Sequence, residues 1–146
     1  MSLTKQFHTN PEIENTGVEI KYAPNEDKSV PTFVIARAGK SNKRYQVALN
    51  AALKPHARAQ QLGTLAPEMA EEIYMGVFIG TILKGWSNVL MSDVTGNKAD
   101  KGYADFNAEN AKALFARLPE IYDDLVDKSN SASLFREETN EEDAKN

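Results

Sequence analysis

A long segment in which apolar residues recur at helical spacing, residues 67–90, constrains the fold of this chain more than any other feature. It opens with Pro67 followed by acidic residues, which is typical of a helix N-terminus because proline and negative charge both suit the first turn. Its apolar residues form two adjacent rows, Met69, Ile73 and Val77 in one and Tyr74, Phe78, Ile82 and Trp86 in the other. Two adjacent rows make a wide buried face. We therefore predict one continuous central helix over residues 67–90, about 36 Å long at about 1.5 Å per residue.

Glycines interrupt this helical segment, although each costs about 1 kcal/mol relative to alanine inside a helix. Gly76 and Gly80 are four residues apart and share one helical face, so we predict that they allow another backbone to approach closely. The neighbour is either another element of the same chain, which is the favoured alternative, or a second copy of the protein. A third glycine, Gly85, is expected to mark a bend near the end of the helix.

Short stretches typical of β-strands precede the helical segment. Residues 18–22 alternate between apolar and polar, residues 32–37 are rich in β-branched and aromatic side chains, and turn-forming residues connect the two stretches. This pattern predicts a β-hairpin with a long loop.

Further helices are predicted on both sides of the central segment. Helical spacing that begins at Tyr45 meets Pro55, so this helix either kinks at Lys54 or stops and restarts with Pro55 in its first turn. Asn107 is a suitable N-cap for one later helix, and Pro119 is a suitable first residue for another. The predicted fold class is therefore α+β and mainly α-helical, with an N-terminal β-hairpin followed by four or five packed helices.

Composition bounds the domain organisation. A chain of 146 residues with 41% apolar residues fits one globular domain, which we place at residues 17–135. Residues 1–16 are expected to be flexible, and residues 136–146 to form a disordered acidic tail, because large apolar side chains are few in the first segment and absent from the second. The start of the chain lacks the apolar core of a secretory signal, and no apolar run reaches the roughly 20 residues of a membrane span, so we expect a soluble protein. The absence of cysteine excludes disulfides and thiolate metal sites.

Catalytic and metal-binding motifs do not occur in this sequence. It has no phosphate-binding loop, dinucleotide fingerprint, nucleophile elbow or paired-histidine zinc motif, and its histidines, His8 and His56, have no evident partner. The oxygen-rich loop that begins at Asp93 does not fit a calcium site, because its glycine stands at the fourth position instead of the sixth and Ala104 replaces the bidentate glutamate. We predict a turn-rich loop there, and a protein with no enzymatic activity, no cofactor and no metal.

One basic stretch stands out between residues 37 and 58, which contain six basic residues and no acidic one. These residues are Arg37, Lys40, Lys43, Arg44, Lys54 and Arg58. A solvated surface is the favoured interpretation, an acidic protein partner comes next, and nucleic acid comes last. Phosphate binding is disfavoured because the first 120 residues hold fourteen basic and thirteen acidic residues, and because no known nucleic-acid motif surrounds the stretch.

Five segments follow one another in a recognisable order, namely FVIARAGKSNKRY, GWSNV, DVTGNK, YADFNAENAKALF and LPEIYDDLVDKSNSASLF. This arrangement resembles the tail assembly chaperones of long-tailed, siphovirus-type bacteriophages. The likeness covers residues 17–135. Its anchor positions are Ile35, Arg37, Gly39, Asn42, Tyr45, Trp86, Val89, Gly96, Leu118, Pro119 and Phe135.

The resemblance implies a specific role. Members of that family are small helical factors that act in the cytoplasm of the bacterial host during lytic growth and are not expected in the mature virion. They bind the tape measure protein, keep it soluble and promote polymerisation of the tail tube protein around it. They act in many copies, together with a longer form of the same protein made by ribosomal frameshifting. Two alternatives remain, a structural tail protein that is retained in the virion and a DNA-binding regulator that uses residues 37–58.

A chaperone of this kind needs an apolar and adaptable partner-binding groove. The candidates, whose methionine or aromatic side chains suit irregular apolar partners, are Met69, Met75, Phe78, Trp86 and Met91. For each of them a place in the core is the favoured alternative. The indole N–H of Trp86 is expected to need a hydrogen-bond acceptor in either case.

Overall fold

A computed structural model describes residues 2–136 of the chain. Apart from Arg136, the predicted acidic tail at residues 136–146 lies outside these described residues. The described part is mainly helical with one small antiparallel sheet, so the predicted α+β class is confirmed. Within residues 2–136, no helix is both long enough and apolar enough to cross a membrane.

The chain begins with two short helices and then enters the sheet. Its helices are α1 (Leu3–Phe7), α2 (Pro11–Thr16), α3 (Lys43–Leu53), α4 (Ala57–Leu62), α5 (Pro67–Thr81), α6 (Met91–Thr95), α7 (Ala108–Arg117) and α8 (Pro119–Ser129). Its strands are β1 (Val18–Lys21), β2 (Thr32–Ile35) and β3 (Leu83–Ser87). Single 3-10 turns follow α3 at Lys54–His56 and α8 at Ala132–Phe135.

The sheet has the order β1-β2-β3, and both pairs of neighbours are antiparallel. Val18 lies opposite Ile35 in the first pair, which confirms the predicted hairpin. Phe33 lies opposite Trp86 in the second pair, and a register irregularity follows between Val34 and Ile35. The central strand β2 is buried on most of its length, as expected for a strand with neighbours on both sides.

The prediction of a continuous helix over residues 67–90 is wrong, because α5 ends at Thr81. The chain continues as β3 along the free edge of β2, and the amide of Ala36 donates to the carbonyl of Ile82 at 2.8 Å. Pairing with β2 supplies hydrogen-bond partners for the backbone of this segment. Gly85 also has a low helix propensity, which disfavours continuation of α5. Gly85 therefore lies within a strand, opposite Val34, and does not mark a helix bend.

Local signals at the other helix ends are confirmed. Helix α3 stops at Leu53, and the chain restarts in a 3-10 turn with Pro55 in its first turn, so the second of the two alternatives holds. The side chain of Asn107 accepts from the amide of Asn110 at 2.7 Å and caps α7. Pro119 begins α8.

The segment before the sheet, which is expected to be flexible, forms α1 and α2 and contacts the other end of the described residues. The amide of Asn10 donates to the carbonyl of Phe135 at 2.7 Å. Glu14 is buried, accepts from the Ser41 hydroxyl at 2.6 Å and from the Thr9 hydroxyl, and lies 3.5 Å from the Arg37 guanidinium. Burial raises the pKa of the Glu14 carboxyl, but these hydrogen bonds and the charge of Arg37 outweigh it and hold the pKa below its ordinary value.

The hydrophobic core is shared by the sheet and by α5, α7 and α8. Its largest fully buried apolar side chains are Phe33, Ile35, Ile82, Leu114, Phe115, Leu125 and Phe135. Aromatic rings meet edge to face in this core, as between Phe78 and Tyr122, whose centroids are 5.4 Å apart. Helix α3 packs against α5 beside this core, and the two helices carry the surfaces described next.

Candidate functional site

A concave surface lies between α3 and α5, and we call it the α3/α5 groove. It has a volume of about 1020 Å³. Its apolar lining includes Val47 and Ala51 on α3 and Met69, Ile73 and Gly76 on α5. The groove is the natural candidate for a partner site, because concave apolar surfaces are where proteins accept apolar ligands and helices.

Small residues create the floor of the α3/α5 groove. A Cβ atom built on Gly76 or on Gly80 would meet no heavy atom within 4 Å, so both glycines face open space. The close packing that the sequence predicts for them within the chain is therefore wrong. Their alternative role, contact with a second copy of the protein, stays a prediction. The sequence shows that the two glycines share a face, but it does not show which element that face meets.

Apolar side chains on the flanks of the groove remain open to water. Val47 is 68% exposed and Met69 is 42% exposed. Single exposed apolar residues are common, but here they border a concavity that is itself apolar. The combination is typical of a surface that is covered when a partner binds.

The rim of the groove is mainly basic. Lys43, Arg44 and Lys112 line it together with a single acid, Glu72. The guanidinium of Arg44 reaches the carbonyl of Gly80 at 3.5 Å, which holds this charge at the end of the groove. The rim therefore favours a partner that carries acidic side chains.

The structure divides the predicted basic stretch into separate groups. Lys43 and Arg44 lie at the groove, whereas Arg37 is held in its ion pair with Glu14. The remaining three, Lys40, Lys54 and Arg58, are exposed and do not line the groove.

Of the partner-binding residues predicted from the sequence, Met69 lines the groove and the other four lie elsewhere. Phe78 is only 4% exposed and contacts the rings of Phe115 and Tyr122, which places it in the core. Met75, Trp86 and Met91 are partly buried against the same core, and none of the four lines the groove. The indole N–H of Trp86 donates to the carbonyl of Ala104 at 2.9 Å, so the acceptor that it was expected to need is a backbone group.

Sequence reasoning missed the residues of α3 that build the groove. The available signal was the set of small side chains Ala48, Ala51 and Ala52, which share a helical face in the manner of Gly76 and Gly80. It could be used only if α3 and α5 were known to be neighbours.

A second concavity lies between α3, α5 and α8, and we call it the tyrosine pocket. It has a volume of about 520 Å³ and is lined by Tyr45, Tyr74 and Tyr122, with Asp123 and Asp127 beside them. Burial, followed by electrostatic interactions with Tyr45, Asp123 and Glu71, raises the pKa of Tyr122 to about 12. Burial and the neighbouring Tyr74 likewise raise the pKa of Tyr45.

The loop considered for calcium begins within the single-turn helix α6, and the residue after that helix, Gly96, has a left-handed conformation. Within it the Thr95 hydroxyl donates to the Asp100 carboxylate at 2.6 Å, and Arg117 donates to the carbonyl of Asp93. Residues 2–136 contain no group of three or more histidine or acidic side chains that could hold a metal ion.

These features define a class of protein, a small helical domain with an open apolar groove and a separate aromatic pocket. Comparison with known families makes the assignment more specific. The model of the YdaY prophage protein family matches residues 40–146, and the chain belongs to this family. It is therefore a prophage protein, which confirms the phage origin implied by the resemblance noted above. No curated protein and no solved structure matches the chain. All the residues that line the α3/α5 groove fall within the matched region.

Proposed function

We propose that this prophage protein is a tail assembly chaperone, which binds the tape measure protein, keeps it soluble and promotes tail tube polymerisation around it. The observation that carries the proposal is the open, apolar α3/α5 groove in a protein of phage origin. In this proposal the protein acts in the host cytoplasm, together with the tail tube protein and a longer frameshifted form of itself, and leaves before the virion is complete.

The groove suits a helix of the tape measure protein. Such a protein is long and rich in helices, and before assembly it exposes apolar stripes that aggregate unless they are covered. From Met69 to Gly80 the groove follows α5 for about 17 Å, which accommodates about three turns of a partner helix. An amphipathic helix can place its apolar stripe against Val47, Ile73 and the two glycines.

The charges at the rim support the same occupant. Lys43, Arg44 and Lys112 lie where the polar sides of a bound helix would pass. Acidic residues beside the apolar stripe of the partner would meet these bases and fix its orientation. Charge pairs at an exposed rim add little affinity, so the client can still be released when the tail tube forms.

The DNA-binding alternative gains no support from this arrangement, since Arg37 is paired with Glu14 and the remaining bases are divided between the groove and other surfaces. The alternative of a retained tail protein is tested by the protein composition of the mature virion. Mass spectrometry of purified virions would detect a retained tail protein at stoichiometric amounts, and a chaperone only in trace.

Co-expression with the tape measure protein of the same prophage tests the proposal. The wild-type chain is expected to keep the tape measure protein soluble and to co-purify with it. Gly76→Leu fills the groove floor without occupying core space, so this variant should fold but leave the client insoluble. Ala116→Leu introduces the same side chain at an exposed position of α7 outside the groove and should behave as wild type.

Two results would contradict the proposal. A tape measure protein that is equally insoluble with and without this protein would remove the chaperone function. A Gly76→Leu variant that retains full solubilising activity would remove the groove as its site. If the same substitution instead changes the oligomer size of the isolated protein, measured by light scattering, a second copy occupies the groove.

A further inference from the structure

The tyrosine pocket has no part in the proposed chaperone function, and it has the features of a separate binding site. Tyr45 of α3, Tyr74 of α5 and Tyr122 of α8 come from distant parts of the sequence and meet around one concavity of about 520 Å³. This volume lies within the range of about 300–1000 Å³ that is usual for ligand pockets.

One wall of the pocket is held rigidly. The ring of Tyr122 stands edge on to Phe78, with centroids 5.4 Å apart and planes at 83°. It also lies 5.4 Å from the ring of Phe115, which is fully buried. The core therefore fixes the orientation of this aromatic ring before any ligand arrives, which lowers the entropy cost of binding.

The tyrosine hydroxyls of the pocket are available for a ligand. The other two tyrosines of the chain each donate to a carboxylate at 2.5 Å, Tyr22 to Asp124 and Tyr103 to Asp27. Within residues 2–136, the hydroxyls of the three pocket tyrosines have no such protein partner.

The pocket is also electrically negative. Asp123 and Asp127 line it, and the charge of Glu71 reaches the hydroxyl of Tyr122 closely enough to oppose its ionisation. The described lining contains no lysine, arginine or histidine that would neutralise these carboxylates. Aromatic faces and nearby carboxylates both attract a positive charge, because a ring carries partial negative charge on its face.

We propose that the tyrosine pocket binds an organic cation, namely an arginine or lysine side chain presented by a protein partner. Tyr74 is 41% exposed and both aspartates are exposed, so the mouth of the pocket opens directly at the protein surface, where a side chain of a docked protein can enter. The aromatic walls enclose the apolar stem of such a side chain, and the carboxylates pair with its head group. The site goes beyond the proposed chaperone function and does not depend on it.

An NMR titration with N-acetyl-arginine amide tests this site, and N-acetyl-citrulline amide serves as the neutral probe of the same shape. The arginine probe should shift the ring signals of Tyr45, Tyr74 and Tyr122 with a dissociation constant of about millimolar order, as expected for a single side chain. The signals of Tyr22 and Tyr103, whose hydroxyls are already bonded, provide an internal reference and should not move. The citrulline probe should produce no saturable shift.

Two sets of variants separate a specific site from general charge attraction. Tyr74→Leu removes one aromatic face at a largely exposed position and should weaken binding of the arginine probe by about two- to fivefold. Asp123→Asn combined with Asp127→Asn removes both lining charges and should weaken it further. The matched control, Asp105→Asn combined with Glu109→Gln, removes two charges at exposed positions outside the pocket and should leave binding unchanged.

Equal binding of arginine and citrulline probes, or equal loss in the pocket and control variants, would overturn the proposal. Spermidine provides the last comparison. Binding of spermidine at micromolar concentrations, with the arginine probe a thousandfold weaker, would overturn the assignment to a protein side chain in favour of a free polyamine. The tape measure co-expression assay is independent of all these results, because the substituted residues do not line the α3/α5 groove.

Discussion

The α3/α5 groove and the tyrosine pocket share helices α3 and α5, and the pocket adds α8, yet the two sites differ in shape, in aromatic content and in charge. The groove has a floor of glycine and alanine and a mainly basic rim, whereas the pocket has aromatic walls and acidic edges. The pocket residue Phe78 also belongs to the core, whereas a Cβ atom added to Gly76 in the groove would meet no heavy atom within 4 Å. Substitutions at Gly76 in the groove should therefore leave the stability of the fold intact, whereas substitutions at Phe78 in the pocket should lower it.

The largest effect is expected when the shared wall of the pocket and core is removed. Phe78→Ala should destabilise the protein by about 3–5 kcal/mol, because it leaves a cavity beside Phe115 and Tyr122. Urea unfolding followed by circular dichroism measures this loss. A loss below about 1 kcal/mol would show that Phe78 is not a core residue, and the comparison would fail.

A smaller effect is expected at Val77, which lines the groove but is only 7% exposed. Val77→Ala should cost about 1.5–2 kcal/mol, since it removes two buried methyl groups and the space opens toward the groove instead of forming a closed cavity. The same urea experiment applies. A cost as large as that of Phe78→Ala would mean that the groove floor carries as much stability as the pocket.

High pH should weaken the fold through Tyr122 of the pocket, and also through Tyr22 outside it, whose pKa is raised by burial and by its hydrogen bond to Asp124. An unfolded tyrosine has a pKa of about 10, while the pKa of Tyr122 in the fold is raised to about 12. Its contribution to stability is therefore complete below pH 10, declines between these two values and is lost above the second. Tyr122→Phe should unfold like wild type at pH 7 and lose less stability than wild type over that interval. If wild type and Tyr122→Phe lost stability identically with rising pH, the raised pKa of Tyr122 would be contradicted.

The smallest expected effect is a gain. Gly76→Ala should stabilise the protein by about 0.5–1 kcal/mol, because alanine favours a helix and its Cβ enters open space. Gly63→Ala is the matched control, since Gly63 also faces open space but has a φ of +69°. There the added Cβ should destabilise the protein, because L-residues disfavour that conformation. A loss of stability in Gly76→Ala would show that the groove floor is closed.

The elements that the sequence predicted are those whose signals are local. The alternation of residues 18–22 and the caps at Asn107 and Pro119 act within a few residues, so the hairpin, α7 and α8 could be recognised. The end of α5 could not be recognised, because the segment after Thr81 has the apolar spacing of a helix and forms a strand only where β2 offers a free edge. Tertiary pairing overrides local propensity in such a case.

The candidate site was less accessible to sequence reasoning than the fold. Phe78 and Trp86 have side chains that suit a binding surface, but their size also suits the core; Phe78 lies in the core and Trp86 packs partly buried against it. The groove depends on small residues such as Gly76 and Ala51, whose shared helical faces are visible in the sequence but do not show which helices are neighbours. The tyrosine pocket joins residues from three helices, and only the packing of those helices reveals it.

The extent of the family match and the extent of the folding unit do not coincide. The match starts at residue 40, after β2, yet Phe33 and Ile35 of that strand are among the most buried side chains of the core. A fragment that begins at residue 40 would retain the whole groove but would leave β3 without its neighbour. Its unpaired strand edge and uncovered apolar surface would promote self-association. The region that the family model matches is therefore not the unit that folds stably by itself. Expression trials should include the residues before residue 40.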